Sequence, residues 1–483
     1  MCMSILQRHN RLALSLAVVL VLLAFADPGL AGPKSYSELT FDRLAKWPEP
    51  EIVSFSLDNG VRFFLVEDHE LPLVDVAVSV RAGQWLVPDG KEGLAWLCGE
   101  AMRNGGTEKH PPGVLNRLLA DKAAVLETEF DFISGSASLN VLSEDFQELL
   151  PVFVDLLHRP AFPEDKIRLA KQQLNTEISR RNDSQSEIAF RVFKKLIYGR
   201  DSIYARVPEY ETVAAVTRTD LLAFHERAYQ GSNILVGITG DIDPDSLRPV
   251  LEKAFSVFPR GTPRQITLPK VQVTAEHALH VAPKSDVNQS FILMGHLGGR
   301  RQNPDFADLQ VMNTILSGGF SGRLFETVRT RKGLAYSVFG RYDCHYYYPG
   351  LFFVGLQTST STSAQAVTAV RREIERLQKG VSQKELELAK EQFFNSLVFR
   401  YDTPEESLGR RMFYAYRDMA PDSFQKLTEA IRQVSTEDVH RVTGKYLQPD
   451  RLTTLGVGLK DELRQQFQEL GPVEIIELDS HSP

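Results

Sequence analysis

The sequence has few cysteines, which excludes two ways of holding a small fold together. Only Cys2, Cys98 and Cys344 occur in the 483 residues. They are too few and too scattered for a disulfide framework or a four-cysteine zinc site. The fold must therefore be held together by packing of its apolar side chains.

An excess of positive charge is also missing. The 55 Lys and Arg residues stand against 62 Asp and Glu residues, a net charge of −7, so the chain lacks the basic character expected of a protein that binds nucleic acid. With 43% hydrophobic and 24% charged residues, the composition is that of an ordinary globular protein. The length predicts about two to four domains.

Several common catalytic motifs do not occur. There is no Walker loop, no G-x-G-x-x-G after a strand, no G-x-S-x-G elbow and no H-E-x-x-H. His277 and His280 form a close pair in the expected interdomain linker without a nearby carboxylate cluster, so we interpret them as surface linker residues and not as metal ligands. Cys344 and His345, beside Tyr346–Tyr348, lack a nucleophile–base pattern and indicate a half-buried strand.

The N-terminus has the pattern of a secretory signal. Basic residues precede an apolar run from Leu12 to Ala26, and Ala31 offers a cleavage site. At fifteen residues this run is shorter than the roughly 18 to 20 that span a bilayer. We therefore expect residues 1–31 to be a signal peptide and the mature protein to be secreted, periplasmic and without a stable membrane anchor. Cys98 and Cys344 then remain, either bridged or as two buried thiols.

The mature chain contains an internal repeat. Thr219–Tyr229 has a helical pattern and precedes the strand-like Ile234–Ile238. The same succession returns 217 residues later, where Thr436–Tyr446 precedes Leu452–Leu455. Duplication of one domain explains this repeat. The junction, Pro259 to about Ala282, lacks helical periodicity, so we predict an N-terminal domain over 32–270 and a C-terminal domain over 271–483.

Within each half, strand hairpins are mixed with long helices. Val53–Val66 contains an Asn-Gly turn between two strand patterns, which is typical of a hairpin. Ser134–Leu142 alternates as a half-buried strand does, and helical patterns cover Glu144–Arg200 and Ser363–Val398. We therefore predict an α+β fold of two homologous domains, each a largely antiparallel sheet backed by helices.

Two segments of the second half carry a family resemblance. Leu316–Phe325 and Val328–Val338 resemble the C-terminal domain of the pitrilysin/insulinase family of inverted zinc metallopeptidases, which includes mitochondrial processing peptidase. In that family an Arg and a Tyr seven positions apart face the active site across a closed chamber. The resemblance implies that role for Arg329 and Tyr336.

Two glycines precede this pair. Gly318 and Gly319 would allow a loop to lie close to substrate, although turn geometry alone also explains glycine there. For Arg329 and Tyr336 the alternative is likewise structural: an Arg on a helix surface and a Tyr packed in a strand.

The resemblance also locates the catalytic helix, where the chain departs from the family. The family sequence there is G-L-A-H-x-x-E-H, with two zinc-binding His residues and a Glu that activates water. Here Trp96 and Glu100 stand at the two His positions, and Gly99 stands at the Glu position. The third ligand position is matched by Glu177. Two carboxylates cannot supply a catalytic zinc site, so we expect no catalytic residue and no metal bound by this chain.

These expectations define a functional hypothesis. The chain would be the non-catalytic subunit of a secreted, periplasmic, heteromeric zinc metallopeptidase of the pitrilysin type. It would pair with a homologous subunit that has an intact H-x-x-E-H and holds the zinc, and it would contribute Arg329 and Tyr336 to binding of the peptide substrate. One alternative is a peptidase-derived binding or scaffold protein without a role in proteolysis. Another is an autonomous zinc peptidase with ligands at unexpected positions.

Overall fold

A computed structural model describes residues 49–272 and 278–478 of the chain. The signal peptide expected over residues 1–31 lies outside these ranges. Within the described ranges, no helix combines the length and the apolar character that a membrane span requires.

The described residues form fourteen strands and fifteen α-helices. The strands are β1 (Val53–Ser56), β2 (Arg62–Glu67), β3 (Leu73–Val80), β4 (Val125–Phe130), β5 (Gly135–Leu142), β6 (Ile234–Gly240), β7 (Leu279–Pro283), β8 (Gln289–Leu297), β9 (Gly299–Arg300), β10 (Ser337–Tyr342), β11 (Cys344–His345), β12 (Leu351–Ser359), β13 (Thr453–Gly458) and β14 (Val473–Ile475). The helices are α1 (Leu94–Gly105), α2 (Pro112–Asp121), α3 (Ser143–His158), α4 (Glu164–Arg180), α5 (Gln185–Tyr198), α6 (Tyr210–Ala215), α7 (Arg218–Ala228), α8 (Pro244–Phe255), α9 (Phe306–Ser317), α10 (Ser363–Gln378), α11 (Gln383–Val398), α12 (Pro404–Tyr416), α13 (Ser423–Gln433), α14 (Thr436–Tyr446) and α15 (Lys460–Gln468).

The first sheet has the strand order β1-β2-β6-β3-β5-β4. The predicted hairpin is confirmed: β1 and β2 pair antiparallel around the turn at Asn59 and Gly60, where Gly60 has the positive φ (+92°) that such turns require. The alternation predicted for β5 is also confirmed, because Ala137, Leu139 and Val141 are buried on one face.

The second sheet repeats this arrangement, with the order β14-β7-β13-β8-β12-β10. In each sheet one inner parallel pair, β2 with β6 or β7 with β13, is followed by a run of antiparallel neighbours. Seven of the ten strand pairs in the two sheets are antiparallel. The predicted α+β class, with two largely antiparallel sheets backed by helices, is confirmed.

The two halves exchange one helix each. The apolar face of α5, with Ile188 and Phe193, packs with strand residues of the second sheet such as Leu455. In return, α12 packs against the first sheet, where a Cβ on Gly237 would lie 2.3 Å from Met412 Sδ. This close approach of helix to strand makes the halves interdependent.

One expectation about the junction is wrong. Residues 259–272 form neither helix nor strand, but the stretch predicted as linker ends inside strand β7. His280 is therefore a buried strand residue and not a surface linker residue, while His277 lies outside the described residues. The domain boundary near residue 270 stays a prediction. Cys98 and Cys344 are both free thiols, the first buried and the second partly buried.

Candidate functional site

Helix α1 is the element that corresponds to the catalytic helix of the resembled family. Its buried face includes Leu97, Cys98 and Met102, which join the core of the first half. Trp96 and Glu100 are one turn apart on another face, and both are half-buried. A tryptophan on an apolar helix face is expected to be a core residue, and Trp96 meets this expectation only in part, because it is half-buried and packs against the margin of the core.

Gly99 is a point of close contact between α1 and strand β4. A Cβ built at this position would lie 2.8 Å from the Cα of Glu129 and 3.2 Å from the backbone oxygen of Thr128. The hydroxyl of Thr128 also donates a hydrogen bond of 2.7 Å to the Gly99 carbonyl. No side chain fits between the helix and the strand here unless backbone atoms move. A glutamate base at this position is excluded by the same contact.

The carboxylates that remain nearby repel one another. Helices α1 and α4 pack together, and the pKa of Glu100 is raised first by burial and then by the charges of Glu127 and Glu177. Asn104 donates a hydrogen bond of 3.1 Å to Glu100. Glu177 is exposed to solvent, and its own pKa is also raised by partial burial.

These residues do not fit the zinc that the family resemblance implies. The indole of Trp96 offers no lone pair to a metal and Gly99 has no side chain, so Glu100 and Glu177 are the remaining oxygen donors at the matched positions. In the two described ranges, no group of three His, Cys, Asp or Glu side chains converges as a metal site would require.

The second candidate region begins at the C-terminus of α9. A Cβ on Gly318 would lie 2.4 Å from the backbone oxygen of Thr314, and Gly319 has a positive φ of +61° with open space around it. Turn geometry therefore explains both glycines, and Gly319 presents the following loop to solvent. The chain then forms a π-helical segment, Phe325–Arg331, before it enters β10. Such segments occur often at functional sites.

A partly buried ion pair that the sequence reasoning missed fixes this segment to the body of the protein. Arg323 is 7% exposed and donates hydrogen bonds of 2.6 and 3.0 Å to the carboxylate of Glu385. Glu385 also completes the N-terminal capping box of α11 with Ser382. The Arg323 guanidinium lowers the pKa of Glu385 to about 2. The S-x-x-E pattern before α11 was the available signal for this capping box.

Arg329 and Tyr336 are brought together on the surface. The Arg329 guanidinium carbon lies 4.7 Å from the ring centre of Phe325 and 5.8 Å from that of Tyr336. Phe320, which sequence reasoning also missed, contacts Phe325 edge-on at 4.9 Å between ring centres. Tyr336 is 73% exposed and Phe320 is 79% exposed. We call Phe320, Phe325, Arg329 and Tyr336 the Arg329 cluster.

The chemistry available to this cluster is hydrogen-bond donation. Among the described residues, neither the Arg329 guanidinium nor the Tyr336 hydroxyl has a hydrogen-bond acceptor, and both side chains reach solvent. A planar guanidinium and a phenol can donate to a peptide carbonyl. Within the described ranges, no hydrogen bond, ion pair or ring contact joins the cluster to Trp96 or Glu100 of α1.

Comparisons with known proteins agree with the fold and the family resemblance. Residues 62–203 match the family model described as insulinase (peptidase family M16), and residues 215–393 match that of the peptidase M16 inactive domain. A Helicobacter pylori relative named "Non-peptidase homolog YmxG" is 25% identical over 80% of this chain and 89% of its own. A Bacillus subtilis relative named "Uncharacterized zinc protease YmxG" is 23% identical over 81% of this chain and 94% of its own.

Solved structures share the fold at low identity. A peptidase M16 inactive domain from Pseudomonas fluorescens superposes with a TM-score of 0.75 at 23% identity and covers 85% of this chain and 98% of its own. The periplasmic protease PqqL from Escherichia coli gives a TM-score of 0.71 at 14% identity, and the match covers 89% of this chain and 48% of PqqL.

Proposed function

The chain belongs to the insulinase (M16) family of peptidases, and on that premise we propose that it is a non-catalytic subunit of a heteromeric metallopeptidase. A homologous subunit with an intact H-x-x-E-H motif holds the zinc and cleaves the peptide. This chain contributes Arg329 and Tyr336 to the surface that binds the substrate. The complex works in the periplasm, where the N-terminal signal directs this chain.

The observation that carries the proposal is the contrast between the two candidate regions. At α1, the positions for the zinc ligands and the base are held by Trp96, Gly99 and Glu100, and Gly99 lies so close to β4 that a side chain there would force backbone atoms to move. At the Arg329 cluster, the guanidinium and the phenol are adjacent, exposed and without a described acceptor. A chain that has substrate-binding residues but no catalytic residues can contribute to peptide cleavage when it lies opposite a subunit that has the catalytic residues.

The sheet beside the cluster supports peptide binding. Tyr336 directly precedes β10, which is the edge strand of the second sheet and pairs only with β12 in the described part of the chain. The outer edge of a strand offers backbone donors and acceptors to an extended peptide. Phe339 on this strand is 39% exposed and adds apolar surface. A peptide laid along β10 would begin next to the Arg329 guanidinium.

The test has two stages. First, affinity purification from the native envelope fraction should recover a homologue that carries H-x-x-E-H. Recovery of a lone chain, from an organism that encodes no such homologue, would contradict the proposal. Second, the reconstituted pair should be assayed for kcat/KM on a fluorogenic peptide, with assembly checked by size-exclusion chromatography.

Tyr336→Phe keeps the ring and removes one hydroxyl, so assembly should be normal and turnover slower. Loss of one donor that acts in the transition state typically costs about 2.7–4 kcal/mol, or about 100- to 1000-fold in rate. Arg329→Lys keeps the charge but loses the planar fork and should also slow turnover. Arg331→Lys is the matched control, because Arg331 is exposed and pairs with Glu326. Wild-type rates for both cluster variants would contradict the proposal.

A second candidate function is peptide binding or scaffolding without proteolysis. Exposed apolar rings at Phe320 and Tyr336 are suited to protein contact whether or not a peptide is cleaved. The name of the Helicobacter pylori relative, "Non-peptidase homolog", is consistent with this alternative. Normal assembly combined with wild-type turnover in the cluster variants would favour it.

A further inference from the structure

A cavity of about 750 Å³ opens between the two halves of the chain, away from α1 and the Arg329 cluster. One wall is the extended segment of residues 264–271, and the opposite wall is Tyr346–Pro349, which precedes β12. Arg81, just after β3, and Arg417, just after α12, complete the lining. We call this the linker cavity. Its volume lies in the range of small-molecule sites, about 300–1,000 Å³.

The linker cavity is strongly cationic, although the chain as a whole is acidic. Five basic side chains line it, against one carboxylate, that of Asp418. The basic residues are Arg81, Arg264, Lys270, Arg300 and Arg417. Asp418 pairs with Arg81 at 2.7 Å. For the other four cations, no described carboxylate lies within ion-pair distance. Asp131 acts on Arg417 only from beyond that distance, so the lining keeps an excess of positive charge.

Uncharged groups hold several of these cations in place. The Arg300 guanidinium donates a 2.8 Å hydrogen bond to the Tyr347 carbonyl, and that of Arg264 donates a 3.0 Å bond to the Arg227 carbonyl. The Arg417 guanidinium carbon lies 3.6 Å from the ring centre of Phe413. Carbonyls and rings orient a guanidinium without cancelling its charge, so the groups are ordered in advance for an anion.

Buried donors without acceptors give a second, independent indication. The Nε–H groups of Arg81, Arg264 and Arg417 are buried, and none has a hydrogen-bond partner among the described residues. Arg81 as a whole is only 8% exposed. Burial also lowers the pKa of Arg417 and of Arg264. Incompletely paired guanidiniums of this kind carry a desolvation cost. A bound anion would offset that cost through its charge.

The uncharged part of the lining indicates that the ligand also has an apolar portion. Tyr347 and Tyr348 face the segment of residues 264–271, which contributes the apolar side chains of Ile266 and Leu268. We propose that the linker cavity binds a small organic anion: its carboxylate or phosphate group meets the guanidinium groups, and its apolar body lies against the tyrosines. This site requires neither the partner subunit nor the Arg329 cluster.

Isothermal titration of the purified full-length protein tests the proposal. The probes are benzoate, which carries a carboxylate on a phenyl ring, and phenyl phosphate, which carries a phosphate on the same kind of ring. Benzyl alcohol is the neutral aromatic analogue, and inorganic phosphate is the anion without an aromatic group. At least one aromatic anion should bind saturably to one site per chain, at least about tenfold more tightly than the neutral analogue. Equal binding of the alcohol, or no saturable binding of either aromatic anion at millimolar concentration, would overturn the proposal. If inorganic phosphate bound as tightly as phenyl phosphate, the proposed contact between the tyrosines and an apolar part of the ligand would be wrong.

Variants place the binding in the linker cavity. The double variant Lys270→Gln with Arg300→Gln removes two exposed cations of the lining and should weaken the anion by about tenfold or more. The matched control is Arg248→Gln with Lys426→Gln, which changes two exposed cations outside the cavity lining, each paired with a carboxylate four residues away along the chain, and should leave affinity unchanged. Circular dichroism confirms folding of both. Wild-type affinity in the cavity variant would overturn the assignment of the site.

Discussion

Gly99→Ala tests whether packing explains the glycine at the position of the family's catalytic glutamate. The new methyl carbon would lie 2.8 Å from the Cα of Glu129 and 3.2 Å from the Thr128 carbonyl oxygen, and both obstacles are backbone atoms that cannot rotate away. Helix α1 must then move from β4 and strain the 2.7 Å hydrogen bond from Thr128 to Gly99. Overpacking of this kind typically costs about 1–3 kcal/mol. We therefore expect a lower urea midpoint with an unchanged dependence on denaturant.

The control for this variant is Gly444→Ala in helix α14, where a Cβ meets nothing within 4 Å. Alanine is favoured over glycine in an exposed helix by about 1 kcal/mol, so this substitution should raise the midpoint. The two identical chemical changes should thus have opposite signs. If Gly99→Ala were as stable as wild type, α1 would not lie against β4 as described, and our explanation for the loss of the glutamate would be refuted.

Two further predictions concern metal and pH. The purified protein should contain no stoichiometric zinc and cleave no peptide alone; stoichiometric zinc in a preparation free of any sister subunit would contradict this. The triple variant Trp96→His, Gly99→Glu, Glu100→His should still cleave no fluorogenic peptide, because residue 99 has no room for the glutamate that activates water unless backbone atoms move; cleavage by this variant alone would contradict the explanation. The pKa of Glu385 is lowered to about 2 in the folded chain, whereas an unfolded Glu has a pKa of about 4.3. The ion pair of Glu385 therefore stabilises the folded protein fully at pH values above about 4.3, and this stabilisation is lost as the pH falls towards 2. Glu385→Gln should therefore lower the urea midpoint at pH 7, with a difference from wild type that shrinks between about pH 5 and pH 2; a constant difference would contradict it.

Local patterns were sufficient to predict much of the secondary structure. The hairpin of β1 and β2 follows from its Asn-Gly turn, and the helical stretches around Glu144–Arg200 and Ser363–Val398 follow from their periodicity. The exchange of α5 and α12 between the two sheets could not be predicted in this way, because it depends on contacts between residues far apart in sequence. The burial of His280 was missed for the same reason.

The candidate site shows the same limit. Alignment to a motif located Trp96, Gly99 and Glu100, but the motif does not reveal that Gly99 touches β4. The linker cavity could not be predicted from the sequence for a similar reason. Its cations come from the first half, the extended segment and the second half, and only the fold brings them together.

The two candidate regions differ in what folding requires of them. Gly99 is explained by packing, since any larger residue at the contact between α1 and β4 would force backbone atoms to move. Phe320 and Tyr336 contribute little to either core, because each is more than 70% exposed. Stability therefore does not account for two aromatic rings beside a guanidinium that has no hydrogen-bond acceptor among the described residues. A binding role accounts for them in both of the functions considered. The subunit and scaffold hypotheses therefore make the same prediction for assembly, and they differ only in whether the Tyr336 hydroxyl and the Arg329 fork affect the rate of cleavage by a partner.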